Sequence, residues 1–263
     1  MPDPRSRAQE KFSGPPQWSG HDLLARCATD PPLAIQTLVD AVRVSGSGRI
    51  CEMGFGSGWL IQEMLQNLPE AELYAFDQSA SYVLNARSVL PARVHVIRGD
   101  MEELPFAHAA FDVIVTCWTL YFMQDIDAAL AGMKRCLRPG GRLVAATVAP
   151  DHMIEHEDMA TDAVRAAGYE REPDMSMRFD LETGEPYMRR HFRHVELRPW
   201  SGELALPDIE SAMELWDAYT PDGLSSEVEP LARVEYERLA AERLRRDGTI
   251  RVRRHDGAFV ASD

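Results

Sequence analysis

Lysine is almost missing from this sequence: Lys11 and Lys134 stand alone, and arginine supplies the remaining positive charge. With 42 acidic against 28 basic residues the formal net charge is −14. That argues against a nucleic-acid partner, because neutralising a phosphate backbone takes clustered positive charge. The arginine bias itself reads as the coding habit of a GC-rich genome. Long apolar runs are missing too. No stretch approaches the roughly 20 residues that a membrane-spanning helix needs. The opening "MPDPRSRAQEKFSGPPQW" has no apolar signal core, so the expectation is a cytoplasmic protein without a membrane partner. The four cysteines, Cys27, Cys51, Cys117 and Cys136, include no C-x-x-C pair and read as reduced structural thiols. Internal repeats and low-complexity segments are absent.

What is present is an ordinary globular composition, 45% hydrophobic and 27% charged over 263 residues. That length suits one large domain, or one domain with an appended subdomain. After a proline-broken arm and two helices, strands and helices alternate. "RICEM", "ELYAFD", "VHVIRGD", "FDVIVTCW" and "RLVAATV" read as strands with helical patterns between them. This rhythm predicts βαβ units and a parallel sheet covered on both faces. Past Pro150 it changes. A helix over 155–167 leads to a polar loop, then to a strand in "HFRHVELRPW". Helices over 209–219 and 227–246 follow, and "GTIRVRRHDGAFVAS" closes as a hairpin or a single strand with its turn. The expected organisation is an arm with cap helices over 1–44, a core over 45–199, a helical insertion over 200–247 and a final strand over 248–263.

Ligands of open α/β sheets bind beyond the carboxyl ends of the strands, so the strand ends are the place to look. The first ends at Glu52 and runs into Gly54, Gly56 and Gly58; the second ends at Asp77, the third at Asp100, and the fourth at Cys117 and Trp118. The glycines permit positive φ and close backbone approach to a ligand. A dinucleotide fingerprint would put its third glycine at position 59, where this chain has Trp59. Asp77 can accept from two ribose hydroxyls and Asp100 from an adenine amino group. Glu52 would repel a pyrophosphate but suit an ammonium. An acid-lined nucleotide site fits S-adenosylmethionine, which carries adenosine together with positive charge.

"ICEMGFGSG", "LYAFDQSASYVLNAR" and "VIRGDMEELPFAHAAFDVIVTCWTLYFMQDIDAALAGMKRCLRPGGRLVAATV" together resemble the class I S-adenosylmethionine-dependent methyltransferases, in particular the ubiquinone- and menaquinone-biosynthesis type and its small-molecule relatives. The resemblance implies a Rossmann-like fold with a mostly parallel seven-stranded sheet. Helices would cover both faces, and a helical lid would be inserted before an antiparallel last strand. It also implies that Glu52 and the glycine loop hold the methionine moiety and Asp77 the ribose. Gln78 would lie beside the adenine, with Asp100 and the Met101 backbone at the adenine edge. The Cys117 backbone would approach the ammonium.

The acceptor side is less determined. Trp118 and Tyr121 in "WTLYF" follow the fourth strand, where relatives contact acceptors, or else pack under the next helix. His152 is a candidate base or hydrogen-bond partner in the acceptor pocket, or else a solvated loop histidine, with Tyr121 the other catalytic candidate. Trp216 and Tyr219, three apart on one helix, face either that pocket or the core. "HMIEH" at 152–156 fits the H-x-x-E-H pattern of inverted zinc peptidases in the wrong context, and no metal is expected. The expected activity is methyl transfer to a small-molecule acceptor in bacterial secondary metabolism. An RNA or protein methyltransferase, a nicotinamide oxidoreductase, or a protein that binds S-adenosylmethionine without transferring methyl remain as alternatives. Self-association into a homodimer stays open.

Overall fold

The computed structural model describes residues 20–29, 33–170, 175–221 and 224–263. The arm over 1–19 lies outside the described residues. Helices α1 (Gly20–Cys27) and α2 (Leu33–Val42) precede the alternating part. That part runs β1 (Arg49–Met53), α3 (Trp59–Asn67), β2 (Glu72–Asp77), α4 (Ala80–Val89), β3 (Val94–Arg98), β4 (Phe111–Cys117), α5 (Ile126–Cys136) and β5 (Leu137–Val148). Then come α6 (Ile154–Ala166), α7 (Gly184–His191), β6 (His194–Leu206), α8 (Ile209–Ala218), α9 (Glu229–Asp247) and β7 (Ile250–Ser262). Some helices begin where a side chain takes up a first free amide. Asp125 accepts from Ala128 N at 2.9 Å, and Asp208 from Ser211 N at 2.8 Å.

The strands form a seven-stranded sheet in the order β3-β2-β1-β4-β5-β7-β6. β1 to β5 pair in parallel, and β7 runs antiparallel between β5 and β6. Strand order reverses between β1 and β4, and this is the switch point at which such sheets bind ligands. Alternate residues feed two cores. Ile50, Val113, Val144 and Ala258 pack on the α2–α3–α4 face. Cys51, Ile114, Leu143 and Phe259 pack on the face covered by α5 and α7.

Two expectations are corrected, and between the hairpin and the single final strand the structure shows the strand. β6 does not stop at residue 200 but continues to Leu206, paired with β7 along all thirteen residues. The insertion therefore occupies 207–249. "GTIRVRRHDGAFVAS" is one continuous strand, with Val148 of β5 opposite Asp256 and Leu206 of β6 opposite Ile250. The segment expected to be a polar loop, 169–187, contains a 3-10 turn at Met175–Arg178 and the first turn of α7.

The pairing has a geometric consequence. β5 ends opposite Asp256, so residues 250–255 of β7 and 201–206 of β6 run on past the carboxyl edge of the sheet. A third core forms on this two-stranded extension. Leu204, Leu206, Ile250 and Val252 of the ribbon meet Leu23 of α1, Ala160 of α6, Trp216 of α8 and Tyr236 of α9, each buried. This cap sits at the edge where ligands bind.

Candidate active site

Glu52 is the penultimate residue of β1, 1% exposed, with Oε2 lacking any hydrogen-bond partner. The Ile61 amide at the start of α3 contributes to holding the carboxylate. Burial, reinforced by the Asp77 charge, raises its pKa well above the ordinary carboxylate range. An orphaned carboxylate oxygen at a switch point is costly unless a ligand donor arrives. Behind it the loop takes positive φ at Gly54 (75°), Gly56 (52°) and Gly58 (78°). A Cβ on Gly54 would lie 2.6 Å from Thr119 Cγ2, whereas one on Gly56 would meet nothing within 4 Å. The first glycine allows the loop to dock on the turn after β4. The second leaves an open cradle that any side chain would begin to fill.

Asp77 ends β2, 8% exposed, and organises this loop: Oδ2 accepts from Gly56 N at 3.0 Å and Oδ1 from Ser79 N at 2.8 Å. Each oxygen keeps a lone pair for a ligand hydroxyl. Burial raises its pKa, and the amides of Ser79, Gly56 and Gln78 oppose that rise. Asp100 lies beyond β3, where its Oδ1 accepts from Glu102 N at 2.9 Å. Met101 beside it is buried, and the Gln78 carbonyl accepts from Arg98 Nε at 3.0 Å. The Cys117 carbonyl accepts from Thr119 Oγ1 at 2.7 Å. Burial pushes the Cys51 and Cys117 thiols well up, so neither is a nucleophile at neutral pH.

Trp118 carries φ 51°, a conformation that a bulky residue adopts at a cost of about 1–3 kcal/mol. Its ring lies 6.2 Å from that of Trp59, and its Nε1 donates to Asp256 Oδ1 at 3.2 Å. His152 Nδ1 stands 3.4 Å from Asp256 Oδ2. Tyr219 at the end of α8 senses the charges of Asp256 and Arg254, and burial holds its hydroxyl well above the usual phenol range. Trp118 and His152 are thus brought to one place where the sheet meets the cap, on the two oxygens of Asp256, and Tyr219 lies near enough to sense that carboxylate's charge. Asp256 is a residue that the basic run "RVRRHD" concealed in the sequence.

Two candidates lie elsewhere. Tyr121 packs against the other face of the sheet, its ring 4.6 Å from Phe122. Trp216 is fully buried in the cap core, 4.9 Å from the Tyr236 ring, with Nε1 donating to Glu229 at 3.1 Å. The "HMIEH" residues are engaged separately. His156 Nδ1 bonds the Tyr236 hydroxyl at 2.7 Å, and Glu155 accepts from Arg253 N at 3.0 Å. Among the described residues no group of three or more His, Cys, Asp or Glu side chains could hold a metal. No described helix is long and apolar enough to cross a membrane.

The fold is Rossmann-like and of the methyltransferase type, with strand-end acids gathered over a glycine loop at its switch point. Residues 51–145 match the model of the family described as "Methyltransferase domain". Malonyl-[acyl-carrier protein] O-methyltransferase of Hahella chejuensis is 31% identical over 155 residues, covering 58% of this chain and 53% of that protein. The ubiquinone/menaquinone biosynthesis C-methyltransferase of Dinoroseobacter shibae is 32% identical over 112 residues, covering 41% and 45%. The YcgJ protein of Bacillus subtilis shares the fold at TM-score 0.57 and 14% identity, covering 88% of this chain and 99% of that one. Residues 51–145 thus carry a methyltransferase domain, the domain type whose cofactor is S-adenosylmethionine. The chain spans about half the length of the curated relatives it matches.

The Glu52 geometry makes a prediction of opposite signs. A carboxyl whose folded pKa is raised loses stability for the fold as pH climbs above its unfolded value of about 4.3, because the unfolded chain ionises first. In Glu52→Gln the cofactor-free protein should hold its melting temperature better between pH 5 and 8 than the parent does. Affinity for S-adenosylmethionine should fall about tenfold or more. Melts across pH and a calorimetric titration check both. Equal pH slopes would show that Glu52 is not held in its raised state.

Proposed function

We propose that the whole chain transfers a methyl group from S-adenosylmethionine to a small-molecule acceptor bound between the sheet's carboxyl edge and the cap. The observation carrying this reading is the buried Glu52 Oε2 without a partner, set above a positive-φ glycine cradle. An ammonium satisfies that oxygen; a pyrophosphate would be repelled by it. Asp77 would hold the ribose hydroxyls, with Asp100, Met101 and Gln78 around the adenine. When bound, the cofactor supplies an electrophilic methyl group on a sulfonium.

The chain's own contribution is placement and exclusion of water. Well-oriented reactants can gain about 7–11 kcal/mol over free encounter. The Trp118 and Trp59 rings, 6.2 Å apart, offer flat apolar walls, and a sulfonium near an aromatic face gains roughly 0.5–2 kcal/mol. His152 and Tyr219 supply the polar groups of the acceptor end. The relatives' names, a malonyl-[acyl-carrier protein] O-methyltransferase and a ubiquinone/menaquinone biosynthesis C-methyltransferase, point to no common acceptor. A role in bacterial secondary metabolism rests on the arginine-rich coding.

Calorimetry should give micromolar binding of S-adenosylmethionine and its demethylated product, about −8 kcal/mol, with NAD much weaker. Tighter binding of NAD would overturn the reading.

A further inference from the structure

Asp256 has no role in the cofactor site, and its surroundings are unusual. It is 4% exposed, one oxygen is bonded to Trp118 Nε1, and the other is sealed from water without a well-formed hydrogen bond. A buried carboxylate oxygen left in that state is strongly disfavoured, so a donor must serve it. His152 Nδ1 stands 3.4 Å away. The same nitrogen lies 3.0 Å from the His255 carbonyl and 3.2 Å from the His255 amide. Two oxygen acceptors, one of them a sealed carboxylate, outweigh one amide donor and favour a proton on Nδ1.

The other ring nitrogen then carries a lone pair. Nε2 of His152 makes no bond among the described residues and is not among the atoms sealed from water. The neighbouring charges do not compete for it. His255 is paired with Asp151 at 2.8 Å, and the Tyr219 hydroxyl is held protonated by burial. An imidazole fixed in this tautomer by a carboxylate is placed to take a proton from a ligand.

We propose that Asp256 is a positioning residue of the acceptor site: it fixes His152 with Nδ1 protonated, so that Nε2 accepts the proton of a planar phenol- or enol-type hydroxyl acceptor lying against Trp118. This rests on the methyltransferase reading above. The balance is simple. The hydroxyl proton passes to Nε2 of His152, and the acceptor oxygen's electron pair forms the bond to the methyl carbon. The carbon–sulfur bond breaks with its pair left on sulfur, so the sulfonium becomes a neutral thioether. A carboxylate acceptor, already ionised at neutral pH, would have no use for such a base and would be repelled by Asp256.

The primary test does not need turnover. Ring-nitrogen NMR of the histidines, in protein saturated with S-adenosylhomocysteine and with His152→Gln for assignment, should show His152 protonated at Nδ1 and bare at Nε2. In Asp256→Asn that population should shift toward the opposite tautomer. An Nε2-protonated His152 in the parent protein overturns the proposal, whether or not the variant folds. The second test uses catechol and phenol, neutral at pH 7.5, against 4-nitrophenol and pentafluorophenol, largely ionised there. His152→Gln should lower kcat on the neutral probes by about 10²–10⁴-fold, and Asp256→Asn by a smaller factor. Both should change kcat on the ionised probes much less, with KM for S-adenosylmethionine unmoved. Equal losses on both probe classes, or methylation confined to amines or carboxylates with no phenol accepted, overturn it. Failure of the methyltransferase reading would look different: S-adenosylhomocysteine would not bind at all.

Discussion

Trp216→Ala should cost about 3–5 kcal/mol of unfolding free energy while leaving cofactor affinity within about threefold. Trp216 has no exposed surface, stacks at 4.9 Å on Tyr236 and donates to Glu229. Tyr236 in turn bonds His156, whose other ring nitrogen lies 3.4 Å from the Tyr219 carbonyl. Removing the indole therefore leaves a cavity in the cap and an unpaired Glu229, and loosens the support of Tyr219. The residues of the glycine loop, β2 and β3 belong to other cores and should not follow. Because whole domains are stable by only about 5–15 kcal/mol, the cap should melt well before the sheet. Thermal melts with calorimetric titration of S-adenosylhomocysteine read both quantities. An unchanged melt with lost acceptor turnover would move Trp216 from the core to the pocket wall.

Asp77→Ala should weaken binding of S-adenosylmethionine by roughly 10–150-fold, since hydrogen bonds to a charged group are worth about 1.5–3 kcal/mol. The effect has two parts. Direct bonds to the ribose are lost, and Gly56 N and Ser79 N lose the oxygens that hold the loop in shape. Asp77→Asn keeps one acceptor oxygen and should fall between the parent and the alanine variant. An unchanged dissociation constant in a folded Asp77→Ala protein would remove Asp77 from the ribose.

The cofactor half of the site was legible because each element announces itself locally. A short apolar strand, a terminal acid and a glycine or cap residue recur at β1 and β2, and every one of those signals lies within ten residues. The acceptor half depends on pairing between distant segments. Nothing in "RVRRHDGAFV" marks Asp256 as buried; that follows only from its position opposite Val148, with Trp118 beside it. Strand β6 reaches Leu206 because β7 pairs with it throughout, whereas "SGEL" has little apolar pattern of its own. Helix α7 buries only Gly184 and Met188, too few for a periodic signal. It starts at a turn tied by Asp180, which accepts from the Glu182 and Thr183 amides at 2.8 and 2.7 Å. Trp216 illustrates the limit from the other direction, because helical spacing gives a shared face and leaves open which neighbour that face meets.

The cap grows out of the sheet without a joint. β6 and β7 run uninterrupted from beneath the core helices to the cap's interior, thirteen residues each and paired along their whole length. A door that swings would have to bend this ribbon and break ladder bonds at the level of Asp256. The cap is built instead like a cantilever: its root is fixed in the sheet, and helices α8 and α9 pack on the far end of the ribbon. Asp256 sits at the root of that beam, so the group proposed to orient the acceptor's base is carried where the ribbon is still held by β5.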